Sequence, residues 1–534
     1  MTLAIALLLF ALALLAFLSK RLFRYLQLLQ QEDYDSRRFF CWLVEKRLVD
    51  RKGSLTCAIA ILFYLATDLP SLAFLLCAMS LATLAWWEPD PCSHGKLPLQ
   101  MTKRGWRLWG CAFSLALFFV FLLLFCFYQE PFSLFLAALV LCQAAPLLLM
   151  GAVALLANSE RQHQALYWRQ AQEKLQQVAP FVIGITGSYG KSSTKQALGQ
   201  LLQTSLGPTF WPERSINTSM GIARSVREGL SLGHRFAVIE MAAYGIGSIE
   251  QLCQLTPPAA AILTAVGETH LERFGSPEAI LKAKGELPEA LPEGSLLVCN
   301  GDEPKVRLLA GQFPLLRQLW YGFDSSHGKL DCQIEEIDCS WSGTRFALIW
   351  QGKRLETSTS LFGRHLIGNL AAAFTLAVAL GADPSVAAAL LPHLSGLPNR
   401  LQLVWRQGVA FLYDGYNSNI KGFEAALETL FRLPAERRWL ITPGMIELGS
   451  LQEEYNRHVG QLAARHCDLA IIVGECNRRA LVDGLAIGAM DRSMIFEVTD
   501  RQQAFGLVEA MMKKGDVILI ENDLGDLYET ELTF

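Results

Sequence analysis

Long apolar stretches fill the chain between residues 3 and 157 and stop there, and no other feature restricts the fold as strongly. A helix needs about 20 apolar residues to cross a bilayer, where its backbone must satisfy its own hydrogen bonds. The stretches cover residues 3–18, 54–67, 69–87, 108–128 and 132–157, which predicts five spans in an all-α transmembrane domain over 1–160. Only Asp68 and Pro70 interrupt the second and third, and the second is short, so 54–87 reads either as two spans or as a re-entrant hairpin. No Asp, Glu, Lys or Arg stands well inside an expected span, which argues against a proton relay or ion pathway. A plain anchor and a docking surface for a lipid-linked substrate or a membrane protein partner both stay open.

Charge between the stretches predicts orientation, because cytoplasmic loops carry an excess of Lys and Arg. The first connection holds Lys20, Arg21, Arg24, Arg37, Arg38, Lys46, Arg47, Arg51 and Lys52, and the third holds Lys96, Lys103, Arg104 and Arg107. The connections at Asp68 and at Gln129 and Glu130 hold none. An external N-terminus with an odd number of spans then leaves everything after Ala157 in the cytoplasm, anchored to the cytoplasmic membrane. The first stretch reads as an anchor rather than a signal peptide, because no basic residue precedes it and no small-x-small site precedes Lys20.

The remaining residues mix charges, glycines and short apolar runs as a soluble α/β protein does. At 534 residues the chain has room for three or four folding units. The formal net charge of -3 gives no basic field, so nucleic acid is not an expected partner. The thirteen cysteines are scattered without a C-x-x-C pair or zinc spacing, which predicts reduced thiols.

Residues 181–186 form an apolar run suited to a buried strand, Gly187-Ser-Tyr-Gly190-Lys191-Ser192-Ser193 follows as a turn, and helical spacing of Ala197, Leu198, Leu201 and Leu202 begins from about Thr194. This order predicts a phosphate-binding loop. The glycines let backbone N–H groups, with that of Ser188, face an anion at a helix N-terminus. Lys191 reaches the β- and γ-phosphates, and the Ser192 hydroxyl suits Mg²⁺.

The segment Ile185-Thr-Gly-Ser-Tyr-Gly-Lys-Ser-Ser-Thr194 resembles the loop of the Mur ligase family, and the likeness continues in family order through Asn217-Thr-Ser-Met-Gly221, the strand ending at Glu240, and Leu263-Thr-Ala-Val-Gly-Glu-Thr-His270. Ala283-Lys284-Gly-Glu286, Asn300-Gly-Asp302, His365 with Asn369, and Pro398-Asn-Arg400-Leu-Gln402 follow. It covers residues 178–525 and is nearest the MurF branch. The resemblance implies a central ATP-binding domain over 175–397 and a C-terminal Rossmann-like domain over 398–534. It implies ATP with two Mg²⁺ ions, Glu240 and His270 as metal ligands, and a carbamylated Lys284 acting as a carboxylate-like ligand. Arg400 would stabilise γ-phosphoryl charge, Asn369 would read adenine, and Asp414 would contact nucleotide or metal-bound water. Ala265 and Leu366 stand where the family usually has asparagines.

Such chemistry is what amide formation needs. A carboxylate oxygen becomes a leaving group by accepting the γ-phosphoryl of ATP, and an amine then displaces phosphate from the acyl phosphate. Strands at 409–414, 439–442, 469–474 and 517–521, separated by helix-length segments, predict a doubly wound parallel sheet in the C-terminal domain. Tyr413-Asp414-Gly-Tyr-Asn-Ser-Asn419 resembles a MurF segment that opens with two aspartates, and Glu447 and His458 resemble later family positions. Glu521-Asn-Asp-Leu-Gly525 occupies the place of the MurF Lys-Gly-Ser-Arg, two acids for two cations. The family's UDP-sugar-gripping domain is missing from the pattern, and the apolar region stands in its place. The acceptor carboxylate therefore stays open between a lipid-linked intermediate, a cell-wall precursor and a growing polymer of the poly-γ-glutamate type, and the amine between an amino acid and a dipeptide. A membrane ATPase or transporter subunit is the alternative class; it calls for a Walker B strand and an ABC signature, and neither is found.

Overall fold

The computed structural model describes residues 2–32, 34–45, 49–93, 98–267, 271–415 and 418–522. The chain divides into two compact units, Met1–His163 and Gln164–Asp523.

The first unit is all helical: α1 (Thr2–Gln31), α2 (Ser36–Glu45), α3 (Arg51–Thr67), α4 (Pro70–Trp87), α5 (Lys103–Phe127), α6 (Pro131–Gln143) and the start of α7 (Ala145–Val178). Local chemistry sets the ends. The Asp50 side chain accepts from the Gly53 N–H to cap α3, Thr102 caps α5 in the same way, and prolines open α4 and α6 where no N–H is needed. Asp68 takes a left-handed conformation (φ 53°) and turns α3 into α4. Phe10, Phe74 and Phe135 meet at the centre, with ring centroids 4.5 to 5.7 Å apart.

The expectation of five spans is corrected. Among the described residues three helices are long and apolar enough to cross a bilayer, Leu3–Gln31, Pro70–Trp87 and Lys103–Phe127, and a fourth is reached only if α6 and α7, bent by 61°, count as one. The helix Arg51–Thr67 has 17 residues and falls short. The first helix also runs well past residue 18, and this carries a charge into the packed interior. Arg21 is 1 % exposed; its Nε lies 2.7 Å from Asp50 and its Nη1 2.7 Å from Glu88. Gln143 extends the network by donating to the Asp50 carbonyl (2.9 Å). Removing one partner of a buried ion pair leaves an uncompensated charge, at a cost of about 3–5 kcal/mol. Arg21→Met is therefore expected to lower the melting temperature of the detergent-solubilised chain markedly, and an unchanged melting curve would show that the cluster is solvated.

The second unit holds two sheets. Nine strands, β1 (Phe181–Thr186), β2 (Thr209–Phe210), β3 (Phe236–Glu240), β4 (Ala260–Leu263), β5 (Leu296–Asn300), β6 (Arg317–Gly322), β7 (Cys332–Ser340), β8 (Gly343–Trp350) and β9 (Lys353–Thr359), lie in the order β2-β3-β1-β4-β5-β6-β7-β8-β9. Neighbours are parallel as far as β7, and β7-β8-β9 form an antiparallel meander that the sequence patterns do not announce. The six strands β10 (Gln402–Arg406), β11 (Val409–Asp414), β12 (Arg438–Thr442), β13 (Leu469–Val473), β14 (Ile495–Val498) and β15 (Val517–Glu521) follow the order β10-β11-β15-β12-β13-β14, all parallel except the edge strand β10. The central strands are buried on both faces and read as unbroken apolar runs, as covered parallel sheets require. The helix Arg364–Ala379 is buried at every residue from Leu366 to Ala377, which its Ala- and Leu-rich sequence permits, and it packs against the helix Lys191–Ser205.

Candidate active site

β1, β3 and β4 end side by side, Ile185 opposite Glu240 and Thr186 opposite Leu263, so three loops leave the carboxyl edge of the sheet together, where open α/β sheets bind ligands. The helix after β1 begins at Lys191, three residues earlier than its apolar spacing indicates, so Lys191, Ser192 and Ser193 form its first turn with unpaired backbone donors. Two glycines make the turn close. A Cβ at Gly187 would stand 2.0 Å from Thr264 Oγ1, and one at Gly190, whose φ is 84°, would stand 2.5 Å from Asn369 Oδ1. The segment after β4 cradles the turn: the Ser188 N–H donates to the Ala265 carbonyl (2.8 Å), and Thr264 Oγ1 donates to the Tyr189 carbonyl (2.5 Å). Ala265 thus serves through its backbone. Lys191 Nζ donates to the Gly187 carbonyl (2.7 Å), and Ser192 Oγ donates to Ser215 (3.1 Å).

Beside this loop lies a set of buried charges. Glu240 is 1 % exposed; its Oε1 accepts from Asn217 Nδ2 (3.0 Å), and its Oε2 has no hydrogen-bond partner. Lys195, one turn beyond Lys191 and fully buried, brings its Nζ to 3.4 Å from that Oε2. Lys284, in the helix Pro277–Glu289, is buried, not a solvated helix charge. Burial and then the nearby Lys191 cation hold its ammonium well below the usual lysine range, against the pull of Glu286 and Glu240. Burial likewise lowers Lys191, opposed by Glu240 and aided by Arg400. Glu286 acts elsewhere. Its carboxylate accepts from the Gly247, Ile249 and Glu250 N–H groups at 2.6 to 2.9 Å and caps the helix Ser248–Leu255. His270 lies outside the described residues. Among the described residues no three His, Cys, Asp or Glu side chains cluster to hold a metal, so a cation here would rest on Glu240, the Ser192 hydroxyl and nucleotide phosphates. Glu240 Oε2, which has no hydrogen bond and only the Lys195 ion pair, and the all-oxygen donors fit Mg²⁺.

The C-terminal sheet contributes from the other side. Arg400 stands between Asn399 (φ 57°) and Leu401 (φ 44°), two non-glycine residues in left-handed backbone, a strained pair that no sequence pattern announces. Its cation acts on Lys191 and His365, and on two carboxylates at neighbouring strand ends, Asp414 and Glu521. Asp414 faces Glu521 across β11 and β15, and both are buried. Burial pushes Asp414 up to about 6, with Arg400 opposing. Burial and then Asp414 raise Glu521 well above the carboxylate range. Ser418 Oγ donates to Glu521 Oε1 (2.6 Å), and Glu521 Oε2 has no hydrogen bond. In the sequence Glu521 stands out only as a departure from the family pattern, and its pairing with Asp414 emerges from strand order. His365 is lowered to about 4 by burial and then Arg400. Asn369 is buried against Gly190, while Leu366 packs with Phe362 and Leu401 in the core. Glu447 pairs with Arg273 (3.3 Å), and His458 is exposed beside Glu424 (3.3 Å).

Residues 185–377 match the Mur ligase middle domain, and residues 399–521 match the Mur ligase glutamate ligase domain. The UDP-N-acetylmuramoyl-tripeptide–D-alanyl-D-alanine ligase of Mycobacterium tuberculosis strain H37Rv is 30 % identical over 365 residues, 64 % of this chain and 70 % of that one. The Escherichia coli K12 protein of the same name is 32 % identical over 304 residues, 56 % of this chain and 66 % of that one. Among solved structures, MurF from Thermotoga maritima in complex with ADP superposes with a TM-score of 0.60 at 25 % identity, covering 67 % of this chain and 80 % of that one. MurF from Acinetobacter baumannii gives a TM-score of 0.60 at 22 % identity, covering 67 % of this chain and 77 % of that one, a likeness of fold. Both sheets, and the loop that links β1 to its helix, are thereby accounted for: the chain belongs to the Mur ligase family of ATP-dependent, amide-forming ligases.

Proposed function

We propose that this is a membrane-anchored Mur-type ligase of cell-envelope synthesis, joining a lipid-linked or cell-wall carboxylate to the amine of an amino acid or dipeptide. The observation that carries the reading is the glycine turn that opens the helix at Lys191 beside the strand end at Glu240, with the charges of Lys284 and Arg400 bearing on the same lysine. The acceptor carboxylate oxygen attacks the γ-phosphorus of ATP, the bond to the β-phosphate oxygen breaks, and ADP leaves. The amine nitrogen then attacks the acyl carbon, expels phosphate and gives up a proton. Gly187 and Gly190 present backbone donors to the phosphates, Ser188, whose own N–H is tied to the Ala265 carbonyl, holds the turn in shape, Lys191 and Arg400 neutralise the charge that moves to the β–γ bridge, and Ser193 extends the helix N-terminus behind them. Asn369 and Asp414 position the nucleotide. Mg²⁺ held by Ser192 and Glu240, with His270 and Lys284 at a second ion, would supply Lewis acidity at the transferring phosphoryl. Burial favours the unprotonated amine of Lys284, the form that adds to CO₂; a new N–C bond and the loss of one proton would make it an anion beside the cations.

The curated relatives carry names that specify UDP-N-acetylmuramoyl-tripeptide and D-alanyl-D-alanine. Glu521 at a strand end beside Asp414 supports a different amine here, because acids stand where the MurF pattern has the Lys and Arg that would attract the carboxylate of a dipeptide. Phosphate release by the detergent-purified chain, with ATP, Mg²⁺ and a panel of acids and amines, tests the reading. Release that needs both an acid and an amine is expected, and release that needs neither would overturn it in favour of a transporter or plain ATPase. The apolar helices and the one-sided basic residues support cytoplasmic ligase domains. Reporters fused after Trp106 and after Arg161 should both read cytoplasmic and one near Glu130 external; an external signal after Arg161 would remove the anchor topology.

A further inference from the structure

Lys195 belongs to no part of the chemistry described so far, yet it is the most deeply buried cation of the second unit among the described residues. It is fully buried in the helix Lys191–Ser205, and its Nζ lies 3.4 Å from Glu240 Oε2 while donating to the Arg214 carbonyl. An ammonium without a charge partner would not survive such burial, and a carboxylate 1 % exposed needs its own compensation. Asn217 holds Oε1 of Glu240, so Oε2 is the side left for a cation, and Lys195 stands on that side. The charge of Lys191 also bears on Glu240, from the loop. One carboxylate thus faces two lysine ammoniums, Lys191 and Lys195, and a bare divalent cation arriving there would meet a surplus of positive charge. The same cation arriving with the phosphates of a nucleotide would not.

We propose that Lys195 is a positioning residue that fixes Glu240 Oε2 and makes divalent-cation binding at this carboxylate conditional on nucleotide phosphate. The ammonium cancels the attraction of Glu240 for a free metal ion, keeps the carboxylate aimed at the phosphate-binding turn, and shares the oxygen once the metal–nucleotide complex brings compensating negative charge. A charge removed within about 4 Å in a partly screened interior alters binding strongly. The metal affinity should therefore change far more than the fold does.

The inference takes the identity of the cation from the ligase reading, but its test needs no turnover. Mn²⁺ binding to the full detergent-purified chain, followed by its paramagnetic resonance signal, should be weak without nucleotide in the wild type. It should tighten about tenfold or more in Lys195→Met, while Lys195→Arg stays near the wild type. If Lys195→Met lowers the melting temperature, Mn²⁺ alone should restore it in that variant and leave the wild type unmoved; a purely structural lysine would show no such rescue. In steady state Lys195→Met should shift the Mg²⁺ dependence of the rate more than kcat. Unchanged Mn²⁺ affinity in Lys195→Met, or a destabilised variant that Mn²⁺ does not recover, would overturn the assignment even if the chain proves to be a ligase. Failure of acid- and amine-dependent phosphate release would instead strike the ligase reading and leave the metal result standing.

Discussion

Lys191→Ala should lower ATP-dependent phosphate release by about a thousandfold, the scale seen when one preorganised group facing transition-state charge is removed. The lysine has little to do with packing. Its Nζ donates to the Gly187 carbonyl inside the turn, so its loss removes polar contact at the rim of the loop and leaves the buried face of the helix, from Ala197 to Leu202, untouched. Expression, membrane insertion and melting temperature should therefore stay close to those of the wild type. The informative comparison is between nucleotide affinity and turnover. A lysine that acts mainly on charge developing at the β–γ bridge lowers kcat more than it weakens ADP binding. Wild-type turnover by the purified variant would remove the phosphate-binding assignment.

Lys284→Ala should cost about a hundredfold in rate, and its recovery distinguishes a metal-facing anion from a packing residue. Burial and the neighbouring Lys191 hold the Lys284 ammonium well below the usual lysine range, which favours the unprotonated amine, so the native chain should take up CO₂, seen as a bicarbonate-dependent mass increment on the peptide that contains Lys284. Short carboxylic acids such as acetate, supplied in solution to Lys284→Ala, should occupy the vacated space and return part of the activity. Lys284→Met fills the same volume without charge and should stay inactive under both treatments. Unchanged activity in Lys284→Ala would show that the stretch around it only packs the helix Pro277–Glu289.

Some features are local and therefore legible in the residues alone. A buried strand, a glycine turn and an amphipathic helix in immediate succession determine the phosphate-binding loop, since only glycine tolerates the left-handed turn and the contact with Thr264. Strand ends at Glu240, Asp414 and Glu521 are legible for the same reason: unbroken apolar runs stop where the sheet does. The number of spans is less legible, since hydropathy runs give length but not where a helix breaks, and the bend between α6 and α7 and the shortness of α3 reduce five to three or four. Pairings between distant residues needed the tertiary structure altogether. Glu286 follows Lys284 in the family stretch and proves to be a helix cap, Arg21 reads as a loop charge and is buried between two acids, and Asp414 meets Glu521 only because β15 inserts between β11 and β12. Lys195 passes in the sequence for one more polar residue of a helix. Its burial against Glu240 depends on β3 lying beside β1, and parallel pairing across a crossover leaves no mark in the spacing of either segment.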